Sequence, residues 1–169
     1  MPDFILSRRS IRKYKPDQIP KDKLNHILKA AMAAPSARNE QPWHFIIIDD
    51  KQIFEKLIEV HPSSAMLREA PVAILVCYDE RLDKSNGYLI QDSAAATQNI
   101  LIAANTFGIG SCWIGIYPRD KRIKLLKEEL KLPPEVYPFS MIALGFPNEE
   151  KEPVDRFDQK KIHKNKWES

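Results

Sequence analysis

Cysteine is scarce in this chain of 169 residues: Cys77 and Cys112 are the only two. Each lies in an apolar stretch of strand length, with no C-x-x-C partner and no nearby histidine cluster, the usual setting of a buried reduced thiol. A disulfide framework and a structural zinc are therefore not expected. The four histidines, His26, His44, His61 and His163, show no H-x-x-x-H or H-E-x-x-H spacing, so no metal site is expected either. His44, flanked by Trp43 and Phe45, reads as structural. Five glycines are too few and too dispersed for G-x-G-x-x-G, G-x-x-x-x-G-K-[ST] or G-x-S-x-G, which removes the standard nucleotide loops and the hydrolase elbow. No apolar run reaches the roughly 18 to 20 residues that span a bilayer. The opening MPDFILSRRS lacks the apolar core and cleavage site of a secretory signal. A soluble, cytoplasmic protein with no membrane partner is the expectation. Excess charge is missing too: a net of +3 does not by itself point to nucleic acid.

What is present fits a globular domain. Hydrophobic residues at 43% supply a core, and the length suits one domain over residues 1–169. Leu24, Ile27, Leu28, Ala31 and Met32 follow helical spacing between Pro20 and Ala34, with Pro35 ending the element. WHFIIID (Trp43 to Asp49) reads as a buried strand, followed by a short helix capped by Asp50 with Ile53, Phe54, Leu57 and Ile58 inward. PVAILVCY (Pro71 to Tyr78) is apolar throughout, as a strand covered on both faces should be. Tyr88 to Phe107 reads as a helix rich in small residues, suited to close packing on another helix and stopped by Gly108. A third strand is expected over Ser111 to Ile116, a helix over Pro118 to Leu130 and a fourth strand over Ser140 to Phe146. From 148 to 169 the chain is mostly charged, with apolar anchors only at Val154, Phe157, Ile162 and Trp167; this reads as an arm that wraps something, such as a partner subunit. Strands alternating with helices around a covered sheet give a three-layer α/β or α+β domain.

Three stretches stand out chemically. SRRSIRKYK (Ser7 to Lys15) places five cations in nine residues. PSARNEQPW (Pro35 to Trp43) crowds Ser36, Arg38, Asn39 and Gln41 into a connection where a few turn residues would suffice, and reads equally well as a surface turn or a ligand site. SCWIGIYP (Ser111 to Pro118) carries Gly115 in a strand-like run, which suits a bulge or a close approach of ligand to backbone, but taken alone it favours a packed strand with one glycine tolerated.

SRRSIRKY, PSARNEQPWHF, the Ala-rich helix ending in FGIGSCWIG, and the closing RFDQKKIHKNKW occur in an order that resembles the FMN-dependent nitroreductase family, in its short-chain branch. The resemblance covers nearly the whole chain. It implies an α+β, three-layer α/β/α fold with a mixed sheet covered by helices, and a C-terminal arm (148–169) exchanged within a homodimer. It also implies FMN at the subunit interface. Arg8, Arg9 and Ser10 should lie at the phosphate and ribityl end, and Arg12 at the pyrimidine edge of the ring. Ser36, Asn39 and Gln41 should reach across from the other subunit, with Pro35 setting the turn. Backbone amides of Ile114 and Gly115 should meet flavin N5, and Arg156 should complete the phosphate site. Ser63 or Ser64 could add a contact to the pyrimidine edge.

Arginine suits this assignment because a guanidinium meets a phosphate through two parallel charge-assisted hydrogen bonds. No side chain is expected to act as catalytic acid, base or nucleophile; the cofactor carries the chemistry. The implied reaction is NADH- or NADPH-dependent reduction of nitroaromatics, quinones or similar small acceptors, by a ping-pong mechanism. Two departures bear on specificity: Ile114 stands where many longer members have an acidic residue, and the chain is too short for their helical insertion. Relatives on this fold also run dehalogenation, ring dehydrogenation and flavin fragmentation, which fold analogy does not separate. A second class of reading, a small basic module gripping nucleic-acid phosphates, finds no nucleic-acid fold motif in the chain, so no nucleic-acid partner is expected.

Overall fold

The computed structural model describes residues 4–84 and 86–167. Four strands, β1 (Trp43–Ile48), β2 (Val72–Asp79), β3 (Gly110–Gly115) and β4 (Val136–Gly145), form one sheet in the order β1-β2-β4-β3. Every neighbouring pair is antiparallel. This corrects the expected mixed sheet: among the described residues, parallel pairing is confined to an isolated bridge between Ser10 and Ser111. The connections explain it. Ile48, the last residue of β1, pairs with Ala73 near the start of β2, so the chain leaves and re-enters the sheet at the same end. That excursion takes two segments, helix α2 (Lys51–Val60) outward and a 3-10 segment (Pro62–Arg68) back. Between β2 and β3 a single helix, α3 (Leu89–Thr106), makes the crossing, and these strands do run parallel, but β4 inserts between them.

Side chains of β2 alternate between two cores, as the two-residue period of a strand requires. Ala73, Leu75 and Cys77 face a cluster containing Phe54 and Leu57 of α2 and Leu126 of α4 (Asp120–Glu129). Val72, Ile74 and Val76 face Ile27 and Ala31 of α1 (Lys21–Met32) and Ile100, Leu101 and Ala104 of α3. All eight residues of β2 are buried. Full burial of each large aliphatic side chain contributes about 1.5–3 kcal/mol, so this strand anchors both layers. The three-layer arrangement is therefore realised, with antiparallel strands in its middle.

Local signals place the boundaries. The Asp50 carboxylate accepts the Gln52 N–H at 2.8 Å and caps α2. α3 ends where Gly108 adopts φ 68°, with Ile109 N–H donating to Ala104 O (2.9 Å) and Gly108 N–H to Asn105 O (3.1 Å), the paired bonds of a glycine-stopped helix. The small residues of α3 pack on α1, where Asn99 Nδ2 donates to Ala30 O at 2.9 Å. β4 begins at Val136, four residues before the sequence suggests, because Pro138 masks it. The pairing shifts register between Val76 and Cys77, opposite Pro138, and at that irregularity a proline breaks no regular ladder bond.

Candidate functional site

The basic stretch is not a loose tail. Ile11 N–H donates to Ser111 O at 3.0 Å, docking residues 10–11 on the start of β3. Tyr14 pairs with Pro147, Lys15 N–H donates to Phe146 O and Asn148 N–H to Lys13 O, both at 2.9 Å. The Tyr14 hydroxyl donates to Ile11 O at 2.6 Å inside the core, and its burial pushes its pKa well up. Glu149 accepts the backbone N–H groups of Arg12 (2.5 Å) and Lys13 (3.3 Å), and Lys151 lies 3.2 Å from it while donating to Ser10 O at 2.7 Å. The Arg12 amide first, then Lys151, hold the Glu149 carboxyl below the usual range. Glu149 and Lys151 thus fix the backbone of Ser10–Lys13. Sequence reasoning missed both, because NEEKE reads as a solvated charge run.

With the backbone fixed, the cations converge. Burial raises the pKa of Cys112, and the positive charge of Arg12, Lys151 and Arg8 acts against that rise. Arg9 Nε donates to Glu152 O (2.8 Å) and Nη1 to Arg8 O (3.0 Å), but its Nη2 is buried without a partner. An orphaned buried guanidinium donor is costly in isolation and suits an incoming anion. Arg8, Arg9 and Arg156 line one pocket of about 850 Å³ between the two ends of the chain, roofed by Ile5, Leu6, Val154 and Phe157. The structure therefore brings Arg8, Arg9 and Arg156 to one pocket, with Ser10 docked next to it on Ser111, while Arg12 lies outside that pocket's lining.

At the far end of β3 sits Gly115. Ser111 turns its carbonyl outward to Ile11, and Ile116 N–H bonds inward to Phe139 O, so by strand alternation Ser111, Trp113 and Gly115 direct their N–H and C=O groups away from β4. Of the two amides expected at N5, only that of Gly115 faces the free edge. The Ile114 N–H points into the β3–β4 ladder and its side chain lies in the core, which corrects its expected contact. A Cβ on Gly115 would meet nothing within 4 Å, and its φ is not positive. Neither packing nor backbone conformation within the chain demands glycine there. An approaching ligand would.

The third piece, Pro35 to Gln41, lies elsewhere. It follows α1 as a 3-10 turn over Ala37–Asn39, and three non-glycine residues, Arg38, Asn39 and Gln41, hold φ of 49°, 57° and 50°. Strain of this kind, about 1–3 kcal/mol per residue, persists only when the surroundings impose it. Ser36 Oγ accepts Gln41 N–H at 3.0 Å, Gln41 Nε2 donates to Asn39 Oδ1 at 2.9 Å, and the buried Asp92 of α3 accepts Ala37 N–H at 3.1 Å. Asp92 is a second residue that sequence reading missed; burial raises its pKa and its Oδ2 has no partner. The turn leads into Trp43, level with Tyr78 and hence with Tyr137 of β4, whereas Ser10 docks level with Leu144. Seven residues of strand, roughly 24 Å, separate the two within one chain. Ser64, a weaker candidate, is buried and donates to His61 O at 2.7 Å; Ser63 is exposed. His44 is half exposed, 3.7 Å from Asp79.

The arm after Pro147 stays mostly exposed, with Phe157 and Trp167 at 73% and 81%. Among the described residues no helix is long and apolar enough to cross a membrane, and no group of three or more potential metal ligands occurs.

Comparison with known proteins gives a consistent picture. Residues 5–61 and 54–146 match the profile of the Nitroreductase family. A Methanothermobacter thermautotrophicus protein named for NADH dehydrogenase/NAD(P)H nitroreductase activity is 46% identical over 165 residues, covering 98% of this chain and 86% of the relative. The crystal structure of a protein from Clostridium acetobutylicum, named for NADH oxidase activity, superposes with TM-score 0.92 at 42% identity, covering 98% of this chain and 100% of the other. An FMN-dependent nitroreductase from Clostridium difficile R20291 superposes with TM-score 0.89 at 36% identity, covering 99% and 100%.

Proposed function

The chain belongs to the nitroreductase family and is an FMN-dependent NAD(P)H oxidoreductase; from that premise we propose that it works as a homodimer, passing electrons from NADH or NADPH to small acceptors such as quinones and nitroaromatics in a ping-pong cycle. The observation that carries this reading is the free edge of β3. It begins at the Ser10 segment with its cluster of cations and ends, four residues or about 13 Å on, at the outward amide of Gly115. A ribbon that is cationic at one end and open at the other suits an elongated molecule with a phosphate at one end and a flat ring at the other.

Arg8, Arg9 and Ser10 would hold the phosphate and ribityl end, with the buried Arg9 Nη2 finding its partner there. Arg156, across the pocket, would close that site. Arg12 would lie by the pyrimidine edge, where a cation favours a ring that gains negative charge on reduction. The Gly115 N–H would orient the ring at N5. Pro35, Ser36, Asn39 and Gln41 lead into β1, at the opposite edge of the sheet from β3, and would contact the cofactor of a second copy; their place at the other edge supports the dimer. The exposed Phe157 and Trp167 of the arm give that copy apolar surface to cover.

When bound, FMN would supply two-electron hydride chemistry between NAD(P)H and the acceptor. With a quinone the balance is NAD(P)H plus one proton plus quinone giving NAD(P)⁺ plus hydroquinone, the extra proton coming from solvent. The chain's own groups bind, orient and tune. Because donor and acceptor would use one face in turn, double-reciprocal plots at several acceptor concentrations should be parallel.

The test is an absorbance scan from about 300 to 550 nm of protein purified after FMN supplementation, followed by NADH or NADPH under argon. Flavin bands that bleach support the reading, and failure to take up FMN sinks it. A sedimentation measurement giving a monomer at working concentration would remove the dimer from it.

A further inference from the structure

We propose that Arg122 is a potential-tuning residue: it occupies the Gly115 carbonyl and places an unneutralised cation one residue from the amide that faces the flavin. The inference rests on the FMN reading above and deepens it.

Gly115 sends both its N–H and its C=O to the free edge of β3. An exposed carbonyl there would set a negative dipole end beside a ring that becomes more negative on reduction. Arg122 reaches back seven residues from α4, and its Nη1 donates to Gly115 O at 2.6 Å. The carbonyl is thereby occupied, and the N–H is left as the outward group.

A bond from α4 to β3 could serve only to staple the two elements together. A neutral amide or hydroxyl would do that at lower cost. Instead the position carries a partly buried guanidinium whose nearby charge is another cation, Arg119; burial first and Arg119 second push its pKa below the usual guanidinium value. Its field also depresses the pKa of His61, behind desolvation as the larger cause. Among the described residues no carboxylate is ion-paired with Arg122. A partly desolvated charge facing a like charge is unfavourable in the empty protein and becomes favourable when negative charge develops beside it. A flavin reduced at this edge supplies that charge. Arg122 therefore favours reduced over oxidised cofactor through space, by its charge and by occupying the Gly115 carbonyl.

The experiment is an anaerobic redox titration of the FMN-loaded protein against a reference dye, which gives the ratio of affinities for reduced and oxidised FMN. Arg122→Gln keeps a neutral donor for the carbonyl and should lower this ratio about tenfold, equal to about 30 mV for a two-electron couple. Arg122→Lys keeps the charge and should stay within about threefold of wild type. If Arg122→Gln does not fold, Arg122→Met serves as the neutral variant with the same expectation. A neutral variant within about threefold of wild type overturns the proposal, and so does Arg122→Lys falling as far as the neutral variant, which would leave only a staple. Wild-type protein that takes up no FMN is a different failure: it sinks the flavin reading itself.

Discussion

Two glycines on the same strand should respond oppositely to the same substitution. At Gly110 an added Cβ would stand 2.9 Å from Ile11 Cβ and Cγ2, closer than such atoms pack. Those Ile11 atoms sit next to the backbone, on the segment that carries Arg8 to Arg12, so they cannot swing aside without lifting that segment from β3. Gly110→Ala should therefore cost about 1–3 kcal/mol as overpacking. For a chain of this length each kcal/mol moves Tm by roughly 2–4 °C, so a fall of about 2–12 °C is expected in a thermal melt. Gly115→Ala meets nothing within 4 Å and has no positive φ to strain. Its Tm should stay within about 2 °C of wild type, or rise slightly because the unfolded chain loses freedom. Its FMN affinity, read by quenching of flavin fluorescence on titration into apoprotein, should fall at least tenfold because the methyl stands where the ring must approach. A Gly115→Ala protein that binds FMN like wild type would refute the placement of the cofactor on this edge. A Gly110→Ala protein with unchanged Tm would refute the docking of the basic segment.

Two further outcomes follow from individual carboxylates. Asp92→Ala removes the acceptor for Ala37 N–H, so amide exchange at Ala37 should speed up about five- to tenfold, the equivalent of one lost hydrogen bond, while Asp92→Asn, which keeps an acceptor oxygen, should hold it near wild type. Equal exchange in all three proteins would show that Asp92 does not restrain the strained turn. Asp79, nearly buried, is held down to about 2 from an ordinary 3.8, first by the Arg81 guanidinium at 2.6 Å. A carboxyl depressed in the folded state stabilises above its unfolded pKa, so this contribution is complete above pH about 4 and is lost as pH falls through about 2. Arg81→Gln should shift the acid-unfolding midpoint upward in far-UV circular dichroism, and superimposable acid curves would count against the ion pair.

Most elements could be read from the sequence because their signals are local. The continuous buried apolar run of β2, the Asp50 cap and the Gly108 stop each state their own conformation, and the structure places them within a residue or two. β4 was half hidden because Pro138 argues against a strand unless the irregularity opposite Cys77 is known, and that irregularity is a property of the pair, not of the segment. Strand direction was misjudged for a similar reason: whether a connection crosses the sheet or returns to the same end depends on the 3-10 segment Pro62–Arg68, whose composition resembles a loop. At the site, the cations and the polar turn were conspicuous by composition. Glu149, Lys151, Asp92 and Arg122 were not, since each acts on backbone atoms of residues 7 to 141 positions away, through contacts that leave no local pattern.

β3 is an edge strand, and edges with outward N–H and C=O groups invite pairing with other chains. The protein covers the first part of this edge with its own residues 10–11 and occupies the Gly115 carbonyl with Arg122, but directs the N–H groups of Trp113 and Gly115 outward. Proteins usually blunt such an edge with a proline, a charge or a bulge. Here the exposed stretch ends in a glycine whose missing side chain nothing in the chain requires, beside the partly exposed rings of Trp113 and Tyr117, which pack on buried Phe139. Leaving that edge unblunted is a liability for a free monomer and an asset for a site that takes a flat ligand across its amides. The same reasoning joins the local chemistry to the proposed assembly: if cofactor and a second copy cover this edge, it is safe only when both are in place, so removing FMN should expose protein surface as well as abolish activity. Apoprotein should therefore aggregate faster than holoprotein on warming, by light scattering, and equal rates for the two would show that the edge is protected by the chain alone.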